Sequence, residues 1–254
     1  MPDPTDHQIS HRVIAITGAG GALGAAVSQR LARESQTALV LSDVSETSLA
    51  STVAALGEGV GPTATILADV SDIAQVEAVV DLAVERFGRL DVLVSNAGVL
   101  APNGRIHNLS TEDWERSFRI NVLGAVNGIR AGVTAMRSQG SGSIILTASV
   151  AGMTAWSHSA PYCATKAAVI QLAKVAAVEY ARDGIRVNCV CPGTFRSAIH
   201  EGLPEEALDD IASRHPLGLG SADDLVGAYS YLASDDSRWT TGAAFVVDGG
   251  YSAP

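Results

Sequence analysis

With 254 residues, 47% of them hydrophobic and 17% charged, the chain has the composition of a compact globular protein rather than a disordered one, and it is long enough to bury a substantial core. Its 17 Lys and Arg against 27 Asp and Glu leave a formal net charge of −10, which argues against nucleic acid and anionic membrane surfaces as partners. No stretch approaches the ~20 apolar residues of a membrane span, and the opening residues Met1 to Asp6 lack the basic and apolar regions of a signal peptide, so a cytoplasmic protein is expected.

A polar tail over 1–11 precedes Val13 to Ile16, an apolar β-branched run that reads as a buried strand. A turn follows at Thr17-Gly18-Ala19-Gly20-Gly21-Ala22-Leu23-Gly24, and helical character continues to Arg33. Strand, glycine loop and helix make the context of a phosphate site: the glycines allow close backbone approach, and the anion sits at the helix N-terminus. Gly18, Gly20, Gly21, Ala22, Leu23 and Gly24 are therefore the candidate pyrophosphate cradle. The next apolar run, Ala38 to Ser42, ends in Asp43, 19 residues beyond Gly24. A carboxylate there can accept both hydroxyls of an adenosine ribose and repels a 2′-phosphate, so NAD rather than NADP is the expected cofactor. Ala19 and Val44 add no positive charge to greet that phosphate.

Strand patterns recur at Ala64 to Ala68 before Asp69-Val70, at Leu90 to Val94 before Ser95-Asn96-Ala97-Gly98, at Ser143 to Ala148 before Ser149, at Arg186 to Cys191 before Pro192, and at Ala243 to Val247. Helical segments separate them, over Asp72 to Phe87, Thr111 to Gln139, the stretch running to about Ala181, and Asp224 to Ala233. Such alternation implies a parallel sheet covered on both faces, with ligands beyond the strand C-termini. Gly18, Asp43, Asp69, Asn96, Ser149 and Pro192 all fall at those ends. The acidic stretch from Ala198 to His215 reads as part of a substrate lid over 195–217, its carboxylates a solvated outer face. The cysteines, Cys163, Cys189 and Cys191, have neither metal-ligand nor redox spacing.

Tyr162 and Lys166 stand four apart, on one face of a helix, so an ammonium can sit beside a phenol. A phenol with an ordinary pKa of about 10 is a poor base at neutral pH, and a nearby cation favours its phenolate. The pair suits general acid/base work, and Ser149, 13 residues upstream, can hold the same oxygen.

The glycine loop, Asp69-Val70, Asn96-Ala97-Gly98, Asn121, Ser149, Tyr162-x-x-x-Lys166, Pro192-Gly193 and Asp248-Gly249-Gly250, in that order from Val13 to Tyr251, resemble the short-chain dehydrogenase/reductase family. The resemblance implies one α/β domain over 1–254 of Rossmann type: a doubly wound, mostly parallel, seven-stranded sheet with helices on both faces. It implies that Tyr162 exchanges the proton with the substrate, that Ser149 hydrogen-bonds the same oxygen, and that Lys166 lowers the Tyr162 pKa while holding the nicotinamide ribose. Asn121 would anchor a proton-relaying water. Asp69 and Val70 would flank the adenine, Asn96, Ala97 and Gly98 would line the adenosine side, and Pro192, Gly193, Phe195 and Ser197 would contact the nicotinamide end.

Ala22 replaces the loop's usual middle glycine, Ser95 a commoner asparagine and Ser197 a usual threonine. The implied activity is hydride transfer between NAD and a secondary alcohol or ketone, with no metal needed, by a homotetramer. Met153, Thr154, Ala155, Trp156 and His158, with Val99, Leu100, Ala101 and the lid, are expected to line an apolar substrate pocket, suited to a cyclic or aromatic alcohol. The alternatives are a 3-oxoacyl-thioester reductase, which Asp43 and the acidic charge disfavour, and a regulator that senses NAD without turnover.

Overall fold

The computed structural model describes residues 12–34, 36–197 and 205–253; the tail over 1–11 and residues 198–204 of the expected lid lie outside the described residues. Seven strands, β1 (Arg12–Thr17), β2 (Thr37–Asp43), β3 (Thr63–Leu67), β4 (Val92–Ser95), β5 (Gly142–Thr147), β6 (Ile185–Pro192) and β7 (Ala244–Val247), form one sheet in the order β3-β2-β1-β4-β5-β6-β7. Every pairing is parallel. Helices α1 (Ala22–Ala32), α2 (Glu46–Leu56), α3 (Ile73–Phe87), α4 (Thr111–Ser117), α5 (Gly124–Gln139), α6 (Ala160–Tyr180), α7 (Glu205–Ser213) and α8 (Val226–Ala233) fill the connections.

The apolar runs that announce the strands follow from burial on both sides. In β1, Val13 and Ala15 join one core cluster with α3, α5 and α6, while Ile14 and Ile16 join another with α1, α2 and α8. That is the period of two of a pleated strand, with both faces dry. Helix ends follow local chemistry. Ser45 caps α2 by accepting the Ser48 N–H, Asp72 caps α3 by accepting the Ala74 N–H, and Gly88 closes α3 at φ 82°. The N-cap of α1 is Gly21, which has no side chain to spend on the first amides, so those donors stay free to face an anion.

The sequence pattern joins α4 and α5 into one helix; the structure divides them by a π-helical turn, Phe118–Leu123. The cause is Asn121, which accepts the Val99 N–H at 2.8 Å and donates to the Val99 carbonyl at 2.9 Å and to Thr165 Oγ1 at 3.1 Å. Satisfying those buried groups favours the wider turn, a deviation often found at working sites. The sheet order reverses between β1 and β4, and the crevice beyond their C-terminal ends is where such sheets bind ligands. No helix among the described residues is long and apolar enough to cross a membrane.

Candidate functional site

The crevice opens into a cleft of about 750 Å³ that runs over the C-terminal ends of the strands, within the range of small-molecule and cofactor sites. At one end the glycine loop is built for close approach. Gly18 has φ +63°, and a Cβ on it would lie 2.7 Å from Ala97 Cα; a Cβ on Gly24 would lie 2.1 Å from the Gly18 carbonyl. Only hydrogen fits at either place, so the start of α1 packs directly against the Asn96–Gly98 segment. Asn96 ties that segment down, donating to the Thr17 and Gly18 carbonyls and accepting from Thr147 Oγ1. Asp43 closes this end, with Oδ2 accepting the Gly20 N–H and Oδ1 the Ser45 N–H, both at 2.9 Å. Among the described residues the cationic side chains that line the cleft are Arg116 and Lys166, and the lining residues that flank Asp43 and Asp69 in sequence, Val44, Ala68 and Val70, carry no charge.

At the other end β5 delivers Ser149 and α6 delivers Tyr162 and Lys166. Ser149 begins a short 3₁₀ turn and accepts the Ala151 N–H at 3.1 Å. Burial pushes the Tyr162 phenol above its ordinary pKa, and a hydrogen bond with the Ser149 side chain offsets part of that rise. The groups that act on the phenol here are its own burial and Ser149, with Cys163 a smaller contributor. The Lys166 ammonium lies 5.7 Å from the Tyr162 ring centroid and donates instead to the Thr147 carbonyl at 2.8 Å, so desolvation of the phenol dominates. Lys166 is itself only 4% exposed, and burial holds it down at about 8.

That depression has a measurable consequence. Between about 8 and the ordinary lysine value of 10.5 the unfolded chain binds a proton that folded Lys166 has released, so this group makes stability rise with pH. Against a Lys166→Met variant, wild-type protein should gain on the order of 2 kcal/mol between pH 8 and pH 10 in urea unfolding. A stability gap that does not change with pH contradicts a buried, destabilised ammonium.

Gly18, Gly21, Ala22, Leu23, Gly24, Asp43, Asp69, Val70, Asn96, Ala97, Gly98, Ser149, Tyr162, Lys166, Pro192, Gly193, Phe195 and Ser197 all line this cleft. Gly20 is not among the lining residues and serves through its amide to Asp43. Asn121 stands behind the cleft: a Cβ on Gly98 would meet Asn121 Oδ1 at 3.1 Å and Lys166 Nζ at 3.3 Å, so that glycine lets the two side chains approach. Of the expected substrate wall, Val99, Leu100 and Trp156 line the cleft. Met153 is half exposed and His158 bonds Ser157 at the surface; neither lines it. The described acidic side chains of α7, Glu205, Glu206, Asp209 and Asp210, are exposed, as a solvated outer face requires.

Sequence reasoning missed Arg116, Ile120, Thr194 and, above all, Thr147. Thr147 ends β5, accepts Lys166 on its carbonyl and shares its hydroxyl with Asn96 and Tyr229. The signal was available, since every strand C-terminus at this crevice is a candidate. Chemically the cleft offers a neutral phenol hydrogen-bonded to a hydroxyl, a cation within one helical turn, and an uncapped helix N-terminus for an anion. A dinucleotide fits that set, with the glycine cradle and Asp43 at one end and the phenol at the other.

Residues 18–252 match the family model described as enoyl-(acyl carrier protein) reductase. The chain is 38% identical over 246 residues to cis-4-hydroxycyclohexanecarboxylate dehydrogenase of Sinomonas cyclohexanicum, covering 96% of this chain and 98% of that one. A crystal structure of levodione reductase superposes with a TM-score of 0.89 at 34% identity, covering 95% of this chain and 98% of the other. A crystal structure of NAD+-bound xylitol dehydrogenase gives a TM-score of 0.87 at 30% identity, with 94% and 98% covered.

Proposed function

Because the chain belongs to the short-chain dehydrogenase/reductase family of oxidoreductases, we propose that it interconverts a cyclic, largely apolar secondary alcohol and its ketone with NAD as cofactor. The observation that carries this reading is the meeting of Ser149, Tyr162 and Lys166 in one cleft whose remaining wall includes Val99, Leu100, Ile120, Trp156 and Phe195. The relative from Sinomonas names a ring alcohol, which agrees with that wall.

When bound, the nicotinamide supplies the hydride acceptor; the protein supplies orientation and proton transfer. In the oxidation direction Tyr162, as its phenolate, would take the hydroxyl proton and become the phenol, while Ser149 donates a hydrogen bond to the same oxygen. The Lys166 ammonium, one helical turn away, would favour that phenolate against the desolvation that raises the phenol's pKa. Asn121, whose side chain is held by Val99 and Thr165, would anchor a water that passes the proton outward, as the family resemblance implies. In reduction the same groups act in reverse. Gly18, Gly20, Gly21, Ala22, Leu23 and Gly24 would hold the pyrophosphate, with Asp69, Val70, Asn96, Ala97 and Gly98 on the adenosine side. Pro192, Gly193, Phe195 and Ser197 would contact the nicotinamide.

NAD is favoured over NADP by Asp43, whose carboxylate lines the glycine-loop end of the cleft and is followed there by the uncharged Val44. The acidic charge of −10 opposes an acidic carrier protein as substrate donor, which weighs against the thioester reading. We also propose assembly of several copies, supported by exposed apolar side chains on helical faces, Val178 at 81% and Val175 at 44% on α6. Sedimentation at the mass of one chain would contradict it.

The test of the activity is NADH formation on a panel of secondary alcohols from short aliphatic to cyclic and aromatic. Turnover greatest on the ring alcohols is expected. Bound NADH without turnover on any alcohol or ketone would favour a sensing role instead.

A further inference from the structure

Behind the cleft, one buried imidazole joins three segments that the proposed reaction needs in register. His215 is 3% exposed and follows α7. Its Nε2 receives the Thr194 N–H at 3.2 Å, and its Nδ1 lies 2.9 Å from the Ile211 carbonyl. A backbone N–H can only donate, so Nε2 must be the acceptor; the ring proton then sits on Nδ1 and is donated to Ile211. The hydrogen-bond network therefore assigns one neutral tautomer. Thr194 lies between Gly193 and Phe195, and all three line the cleft.

The same ring lies 4.8 Å from the ring of Tyr251, which meets Trp156 edge-on at 6.2 Å, and Trp156 stacks on Tyr162 at 6.2 Å. Tyr251 follows the turn that Asp248 caps by accepting from Gly250 and Ser252, and this turn presses on the cleft from behind. A Cβ on Gly193 would lie 2.6 Å from Asp248 Cα, so the loop cannot recede. Leu217 donates to the Gly249 carbonyl and Arg196 to the Gly220 carbonyl, which closes the same three segments into one unit.

We infer that His215 is a positioning residue for the proposed reaction: by holding the Thr194 amide and supporting the Tyr251–Trp156–Tyr162 aromatic tier, it sets the nicotinamide side of the cleft against the phenol. The inference rests on the NAD-dependent reading of the site. Its polar and packing parts are separable. His215→Phe keeps a ring against Tyr251 but removes the acceptor; His215→Gln restores a group that can both accept and donate.

The experiment compares wild type, His215→Phe and His215→Gln in NADH binding, ADP-ribose binding, kcat and the KM for an alcohol the wild type oxidises. For His215→Phe, kcat and NADH affinity should each fall about tenfold, the size of one lost hydrogen bond. ADP-ribose affinity should hold, since its site is the distant glycine loop and Asp43, and His215→Gln should recover most of the loss. His215→Phe with wild-type kcat and NADH affinity overturns the inference. So does a parallel loss of NADH affinity, ADP-ribose affinity and melting temperature, which marks a scaffold role only. If His215→Phe does not fold, His215→Leu takes its place with the same outcomes, and in either case a tenfold loss of kcat in folded His215→Gln refutes the rescue the inference requires. Wild-type protein that neither binds NADH nor turns over would instead sink the underlying reading of the site.

Discussion

Replacing Tyr162 with Phe should leave the fold intact and lower kcat by about 10²–10⁴-fold, the usual contribution of a positioned general acid/base. The substitution removes one oxygen. The ring keeps its stack on Trp156 and its place on α6, so thermal unfolding should change little. NADH affinity should also survive, because the glycine cradle, Asp43 and Lys166 remain in place. The pattern expected is a fall in kcat and kcat/KM together, the mark of an interaction made in the transition state. The Ser149 hydroxyl cannot replace the phenol: its oxygen accepts the Ala151 amide and it donates to the Pro192 carbonyl at 3.5 Å. Retention of a tenth or more of wild-type turnover by Tyr162→Phe would remove the phenol from the chemistry.

Asp43→Asn should reverse or erase the cofactor preference. A 2′-phosphate about 5 Å from the Asp43 carboxylate at an effective dielectric near 20 meets a repulsion of roughly 3 kcal/mol, so removing the charge should shift the ratio of NAD to NADP efficiency by about 10²-fold. Asparagine is chosen because it keeps an oxygen for one of the two amides, Gly20 or Ser45, that Asp43 accepts. A simple loss with both cofactors would mean that Asp43 serves only to pin the glycine loop to β2. An unchanged ratio of kcat/KM for the two cofactors would show that the carboxylate does not read the ribose.

Why much of this could be seen in the sequence, and some could not, follows from which interactions are local. The inner strands announce themselves because they are buried on both faces, so Val13 to Ile16 and Ala38 to Leu41 carry no polar side chain, and the polar residues that follow such runs mark the crevice. Asp43 and Ser149 stand out for that reason. Tyr162 and Lys166 are joined by helical spacing alone. The π-helical turn at Asn121 was invisible because it answers to Val99 and Thr165, 22 and 44 residues away, rather than to its own segment. His215 escaped for the same reason: its hydrogen bond to Thr194 spans 21 residues, and its ring partner Tyr251 comes from the end of the chain. Helical spacing shows only part of what acts on the Tyr162 phenol. Proximity of a cation is legible from the interval of four residues, but burial of the phenol and diversion of Lys166 to the Thr147 carbonyl are properties of the packed site.

The measurement that bears most directly on the proposed function follows the transferred atom. Cyclohexanol carrying deuterium on its carbinol carbon is incubated with the purified protein and NAD, and the reduced cofactor is analysed by mass and by proton resonance at the nicotinamide C4. Direct transfer puts the deuterium on that carbon in one stereochemical sense, with wild-type protein and only at a trace level with Tyr162→Phe. Reduced cofactor lacking the label, or none formed from this or any other ring alcohol while NADH still binds, contradicts a hydride-transferring dehydrogenase of cyclic alcohols.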